Sequence, residues 1–180
     1  TQKSLEAVQN CEKLAYEHGN QQIEQEHLLY SLLTIDDSLI LKLVTKMGIS
    51  GEMFKDEALQ NVEKLPKVSG SSQVYVSNDL NKVLVSAEEG LGQKFGREDE
   101  AKAMGDEYVS VEHLFLSMLR QPDRTIKEMF RQYGITRETF LQALSTVRGN
   151  QRVVSDNPEA TYDTLEKYGY DLVERAREQK

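Results

Sequence analysis

Apolar residues recur every three or four positions through most of the chain, the spacing that places them on one face of an α-helix. Leu5, Val8, Cys11, Leu14 and Ala15 form the first such stripe, which stops near Gly19. Leu28, Leu29, Leu32 and Leu33 form a second, in the segment that opens at Glu26. Asp37 or Ser38 can cap a third helix carrying Leu39, Ile40, Leu43, Val44 and Met47. Gly48 ends it, because glycine enters the left-handed conformation without a Cβ clash. Ser50 caps a fourth helix with Met53, Phe54, Ala58, Leu59 and Val62, and Pro66 stops it.

The same punctuation then returns. Ser110 precedes a helix with Leu114, Phe115, Met118 and Leu119, broken by Pro122-Asp123. Ile126, Met129, Phe130 and Tyr133 follow, closed by Gly134. Thr136 caps a last helix with Phe140, Leu141, Leu144 and Val147, closed by Gly149. Shifted by 86 positions, residues 15–54 match residues 101–140 without a gap at 13 of 40 positions. Background composition gives about two or three such matches, so the repeat is real. Upstream the best offset falls to about 76, so the second copy holds roughly ten extra residues within 90–100. Gly90, Gly92 and Gly96 predict a loop or a broken helix there.

A four-helix unit of about 65 residues has difficulty burying its apolar faces alone. The expected fold is therefore all-α, with two pseudo-symmetric four-helix repeats packed together. Repeat one is placed at 1–66, a connector at 67–78 and repeat two at 79–149. Residues 150–180 form a partly helical tail, with Asn157-Pro158 as a start signal and Gly169 as an interruption. Within the connector Val74-Tyr75-Val76 can be extended, but no sheet is expected.

Charge and composition remove several functions. With 30 acidic against 22 basic residues the net charge is −8, which repels phosphate backbones and disfavours nucleic acid. No apolar run approaches a membrane span, and the N-terminus lacks the basic and apolar segments of a signal peptide. Thr1 is not a start residue, so the numbered chain is expected to be trimmed from a longer one. Cys11 cannot form an internal disulfide and sits at a periodic apolar position, which fits a small core residue in a reducing cytoplasm. His27 and His113 each follow a glutamate, but neither lies in a His-Glu-x-x-His helix. A shared role at a helix start is expected, and no metal site. No Gly-x-x-x-x-Gly-Lys-Ser/Thr phosphate cradle and no clustered catalytic set occur, so this stretch is expected to be a monomer without enzymatic activity.

Glu26-His27-Leu28-Leu29 and Glu112-His113-Leu114-Phe115, each followed by a short helix and a Gly-Ile-Ser/Thr turn, resemble the duplicated Clp N-terminal repeat. The resemblance spans residues 1–149. The tail pattern Asn157-Pro158-Glu159, Tyr162, Leu165-Glu166-Lys167-Tyr168-Gly169, Asp171-Leu172 and Ala176 is similar to the segment before the first AAA+ module of ClpB-type disaggregases. ClpC-type protease unfoldases match that tail less well. The resemblance implies a substrate-recognition domain for unfolded or aggregated polypeptide, within a cytoplasmic homo-hexameric ATPase that works with the DnaK system. ATP and magnesium would then belong to the following modules. Docking of an adaptor, as in ClpC-type proteins, is the alternative. The family pattern also places Thr1, Asp106 and Glu112 near the client-binding surface, although each reads equally as a helix cap, a turn residue and a first-turn carboxylate. Leu80, Val83, Leu84 and Leu114 flank the seam between repeats and are candidates for an apolar groove, although such a stripe more often builds core.

Overall fold

The computed structural model describes residues 1–70, 73–92 and 109–148. Among them, repeat one contributes α1 (Gln2–Glu17), α2 (Gln25–Thr34), α3 (Leu39–Lys46) and α4 (Gly51–Glu63). Repeat two contributes α5 (Asn78–Gly92), α6 (Val111–Arg120), α7 (Arg124–Tyr133) and α8 (Arg137–Arg148). Most begin where a side-chain oxygen replaces the missing preceding turn. Thr1 Oγ1 accepts from the Ser4 amide at 3.2 Å, and Ser77 Oγ from the Leu80 amide at 3.0 Å. Ser50, Asp123 and Thr136 do the same for Met53, Ile126 and Thr139. Of the two candidates before α3 the cap is Ser38, which accepts from the Leu41 amide at 3.0 Å, while Asp37 takes a left-handed φ of 53°.

The internal repeat is a repeat of bonds as well as of letters. Ser31 Oγ donates to the Ala7 carbonyl at 2.6 Å, and Ser117 Oγ donates to the Val83 carbonyl at 2.7 Å. The serines are 86 positions apart and their acceptors 76, so both sequence offsets are read from one pair of bonds. The third helix of each unit closes alike, with Ile49 N–H bonding Val44 and Ile135 N–H bonding Phe130.

The two units exchange their edges. Ser77 N–H, at the start of α5, donates to the Ile23 carbonyl at 3.0 Å in front of α2. Its counterpart Thr1, at the start of α1, donates through its nitrogen to the Val109 carbonyl in front of α6. One of these exchanges extends into a two-stranded parallel ladder, β1 (Gln22–Ile23) against β2 (Tyr75–Val76). This corrects the expectation of no sheet. The returning connector needs partners for its backbone, and the Gln21 and Ile23 carbonyls accept from the Tyr75 and Ser77 amides.

A single core runs through both units. Phe115 stacks on Phe140 and Phe130 with ring centres 4.5 and 5.4 Å apart. Phe54, the repeat-one match of Phe140, meets Tyr133 of repeat two edge-on at 5.0 Å. Each fully buried side chain of this size stabilises by about 1.5–3 kcal/mol relative to exposure, so separating the units would forfeit several such terms. Helix α5 continues through Gly90 to Gly92. The rest of the Gly-rich insertion, Asp106, Gly149 and the tail 150–180 lie outside the described residues. Among the described residues no helix is long and apolar enough to cross a membrane.

Gly48 and Gly134 sit at φ 84° and 67°, with nothing within 4 Å of an added Cβ. An added Cβ there meets no neighbour, so the cost considered is backbone strain. Gly48→Val and Gly134→Val are each expected to lower stability by about 1–2 kcal/mol. Urea unfolding midpoints equal to the parent would refute this.

Candidate functional site

Helices α2 and α6 occupy the middle of the domain, and nearly every residue of their first two turns is buried. Their first amides therefore cannot rely on water. Histidine solves the problem in both. His27 Nδ1 accepts from the Glu24 amide at 2.9 Å, and His113 Nδ1 accepts from the Ser110 amide at 2.8 Å. With Nδ1 accepting, the proton of His27 sits on Nε2, which donates to Asn20 Oδ1 at 2.8 Å. Asn20 in turn donates to the Pro66 carbonyl at 3.1 Å, tying the exit of repeat one to the start of its central helix. The shared helix-start role expected of the two histidines is thus an acceptor role inside the fold.

Burial, and next the His18 charge, lower the His27 pKa to about 4. Cys11 is equally committed to structure. Its thiol donates to the Ala7 carbonyl at 3.2 Å, and burial pushes it up to about 12, so it stays protonated and poorly nucleophilic.

The residues singled out from sequence divide sharply. Leu80, Val83 and Leu114 are core residues with 2%, 0% and 2% exposure, so they offer no groove surface. Each sits one helix layer too deep. Leu84 is half-buried at the edge of that core, and Val85 beside it is exposed. Glu112 is also not a surface carboxylate. It is fully buried, with Arg148 Nη1 3.6 Å from its Oε1. Thr1 caps α1 and meets Val109, and Asp106 lies outside the described residues.

Two residues absent from the sequence expectations organise the interior, Gln25 at the seam between repeats and Arg148 within repeat two. Gln25 Nε2 donates to the Gln121 and Asp79 carbonyls at 2.8 and 3.0 Å, and its Oε1 accepts from the Asp123 amide at 2.8 Å. Arg148 pairs with Glu112 from the last turn of α8. The available signal was a break in the repeat, since Gln25 matches Val111 and Arg148 matches Val62 at the same offset. An open cleft of about 560 Å³ lies between the closing turns of α3 and α7 and the face of α8, lined by Met47, Ile49, Tyr133, Thr139 and Ala143 among others.

Comparison with known proteins agrees with this architecture. The Clp repeat (R) N-terminal domain matches twice, at residues 1–98 and 95–167. The chain belongs to that family. It is 40% identical to the chaperone protein ClpB of Nitratidesulfovibrio vulgaris over 185 aligned residues, covering 100% of this chain and 20% of the relative. ClpB of Bacillus cereus is 39% identical across 98% of the chain, again 20% of its own length. The chain thus spans about a fifth of the relatives it matches. Among solved structures, the Hsp104 N-terminal domain from Candida albicans superposes with a TM-score of 0.70 at 22% identity, over 86% of this chain and 95% of that one. The N-terminal domain of ClpD from Arabidopsis thaliana gives 0.55 at 17% identity, over 81% and 94%. These two show the fold.

His27 makes stability depend on acid. An unfolded imidazole takes up a proton below about 6.5, whereas the folded one resists until about 4. The unfolded state therefore binds more protons in that window, and stability falls as pH drops through it. His27→Gln keeps an acceptor for the cap, because glutamine serves at this position of a capping box. The variant should show an acid-side loss between about pH 6.5 and 4 that is smaller by on the order of 2 kcal/mol. Parallel pH profiles of unfolding for parent and variant would overturn the assignment.

Proposed function

We propose that this chain is the client-binding N-terminal domain of a ClpB-type disaggregase, capturing apolar stretches of unfolded or aggregated polypeptide. The observation that carries the reading is the match, along the whole chain, to the first fifth of chaperones of that name. In this reading ATP and magnesium bind to the modules that follow, and the whole protein is a cytoplasmic hexamer working with the DnaK system.

The capture surface is assigned to the outer edge of α5. With Leu80 and Val83 committed to the core, Leu84 and Val85 are the apolar side chains this helix turns outward among its described positions. Tyr75 and Val76, just before α5, are exposed as well. Thr1 and Asp106 are proposed as polar contacts of the client. Glu112 acts only indirectly, holding α6 to α8 through Arg148. A shallow apolar surface of a few hundred Å² supports a dissociation constant of about 10 µM–1 mM once the ordering of a flexible client is subtracted. Such weak binding suits a module that hands its client onward.

An NMR titration with a permanently unfolded protein, at low and moderate salt, tests this. Shifts should centre on repeat two and change little with salt, since apolar contact is not screened. Leu84→Ser and Val85→Ser should each weaken binding several-fold while helical content holds. Shifts confined to repeat one, or binding lost at moderate salt, would sink the reading.

A further inference from the structure

At the start of α2 and the start of α7, Glu24, Glu26 and Asp123 each place a carboxylate oxygen within 4.8 Å of the other two. The first two belong to repeat one and the third to repeat two. They are brought together by Gln25, whose amide group holds the Gln121 and Asp123 backbone. Their own charges oppose the arrangement.

A group of acids is not yet a site. The second observation is the state of Glu26, which is 4% exposed and whose Oε2 has no hydrogen-bond partner. Oε1 of Glu24 is buried in the same condition. Native proteins nearly always satisfy such oxygens with a donor, a water or an ion. The equivalent glutamate of repeat two, Glu112, likewise has no hydrogen bond to its oxygens, but it has the opposite charge of Arg148 3.6 Å away. Repeat one has Val62 at the place of that arginine. Burial, then the charge of Asp123 and a hydrogen bond with its carboxyl, push the Glu26 carboxyl above the usual carboxylate range. The two helix N-termini contribute roughly half a positive charge each, too little for three carboxylates.

We propose that Glu24, Glu26 and Asp123 bind a hard divalent cation of the calcium type, which staples repeat one to repeat two. The donors are all oxygen, the set that hard cations take. Their mutual spread fits within about twice a calcium–oxygen bond, whereas magnesium requires a tighter octahedron of near-ideal geometry. The expectation of no metal rested on histidine and cysteine spacing. Carboxylates from opposite repeats are invisible to that criterion.

The test uses the whole chain, stripped with chelator, at neutral pH. Calorimetric titration with CaCl2 should reveal one site with a dissociation constant of about 10 µM–1 mM. At a hundredfold excess over its dissociation constant, calcium should raise the thermal midpoint by roughly 5–11 °C, and KCl of equal ionic strength should not. MgCl2 should bind several-fold more weakly. Glu26→Gln keeps the shape of the side chain but cannot ionise to ligate a metal, so it should weaken calcium binding by about tenfold or more. Asp123→Asn keeps the helix cap and should weaken calcium likewise. Glu52→Gln, an exposed acid elsewhere, should leave calcium binding unchanged. Absence of saturable heat up to about 10 mM calcium, beyond the weak end of calcium modules, would overturn the site. An equal calcium response in parent and Glu26→Gln would overturn it too, leaving a shared proton as the device that relieves these carboxyls. Equal affinity for magnesium would overturn the calcium assignment.

Discussion

A helix whose first turn is buried must satisfy its amide donors without water, and this requirement organises the domain. Helices α2 and α6 run through the centre, covered by the helices of both repeats. Histidine at the third helical position supplies an acceptor in each, at nearly the same distance. The choice has consequences outward. A neutral His27 with its proton on Nε2 needs an acceptor, which Asn20 provides, and Asn20 reaches the chain where repeat one ends. Ser31 and Ser117 then fasten each central helix to the helix before it. In repeat one, the buried polar problem at the start of α2 thus ties that helix to α1 and to the end of the repeat, and in repeat two Ser117 ties α6 to α5.

Duplication makes the scaffold, and departures from duplication make the surface where function can reside. The buried glutamate after each helix start is common to both copies, yet its surroundings differ in sign. Glu112 has an arginine, and Glu26 has two further acids. A buried carboxylate without an opposite charge is costly, so the two copies cannot be interchangeable at this position. Gln25 is likewise specific to repeat one, and it carries the hydrogen bonds that define the seam.

Packing also limits what an apolar stripe on α5 can offer a client. Leu80 and Val83 face the central helices, so they are consumed in holding the repeats together. Leu84 and Val85 lie just past that contact and are partly or largely open. A surface built this way is narrow, and its affinity is bounded by the few side chains that the core does not use.

The local features of this fold were written in single residues. Glycines at 48 and 134 marked the left-handed stops, Ser50, Thr136 and Ser38 marked starts, and the period of three to four residues marked the inward faces. These are decided within one helical turn, by backbone sterics and the valence of a side-chain oxygen, so a linear reading captures them. The self-match at 13 of 40 positions added that the faces come in two copies. What the chain could not show is which residues meet once the helices have packed. Burial of Leu80, Val83 and Leu114, the Arg148–Glu112 pair, the edge exchange that becomes a small sheet, and the convergence of Glu24, Glu26 and Asp123 all join residues far apart in sequence. Periodicity tells which side of a helix is apolar, but the partner pressed against that side exists only once two helices have closed on each other.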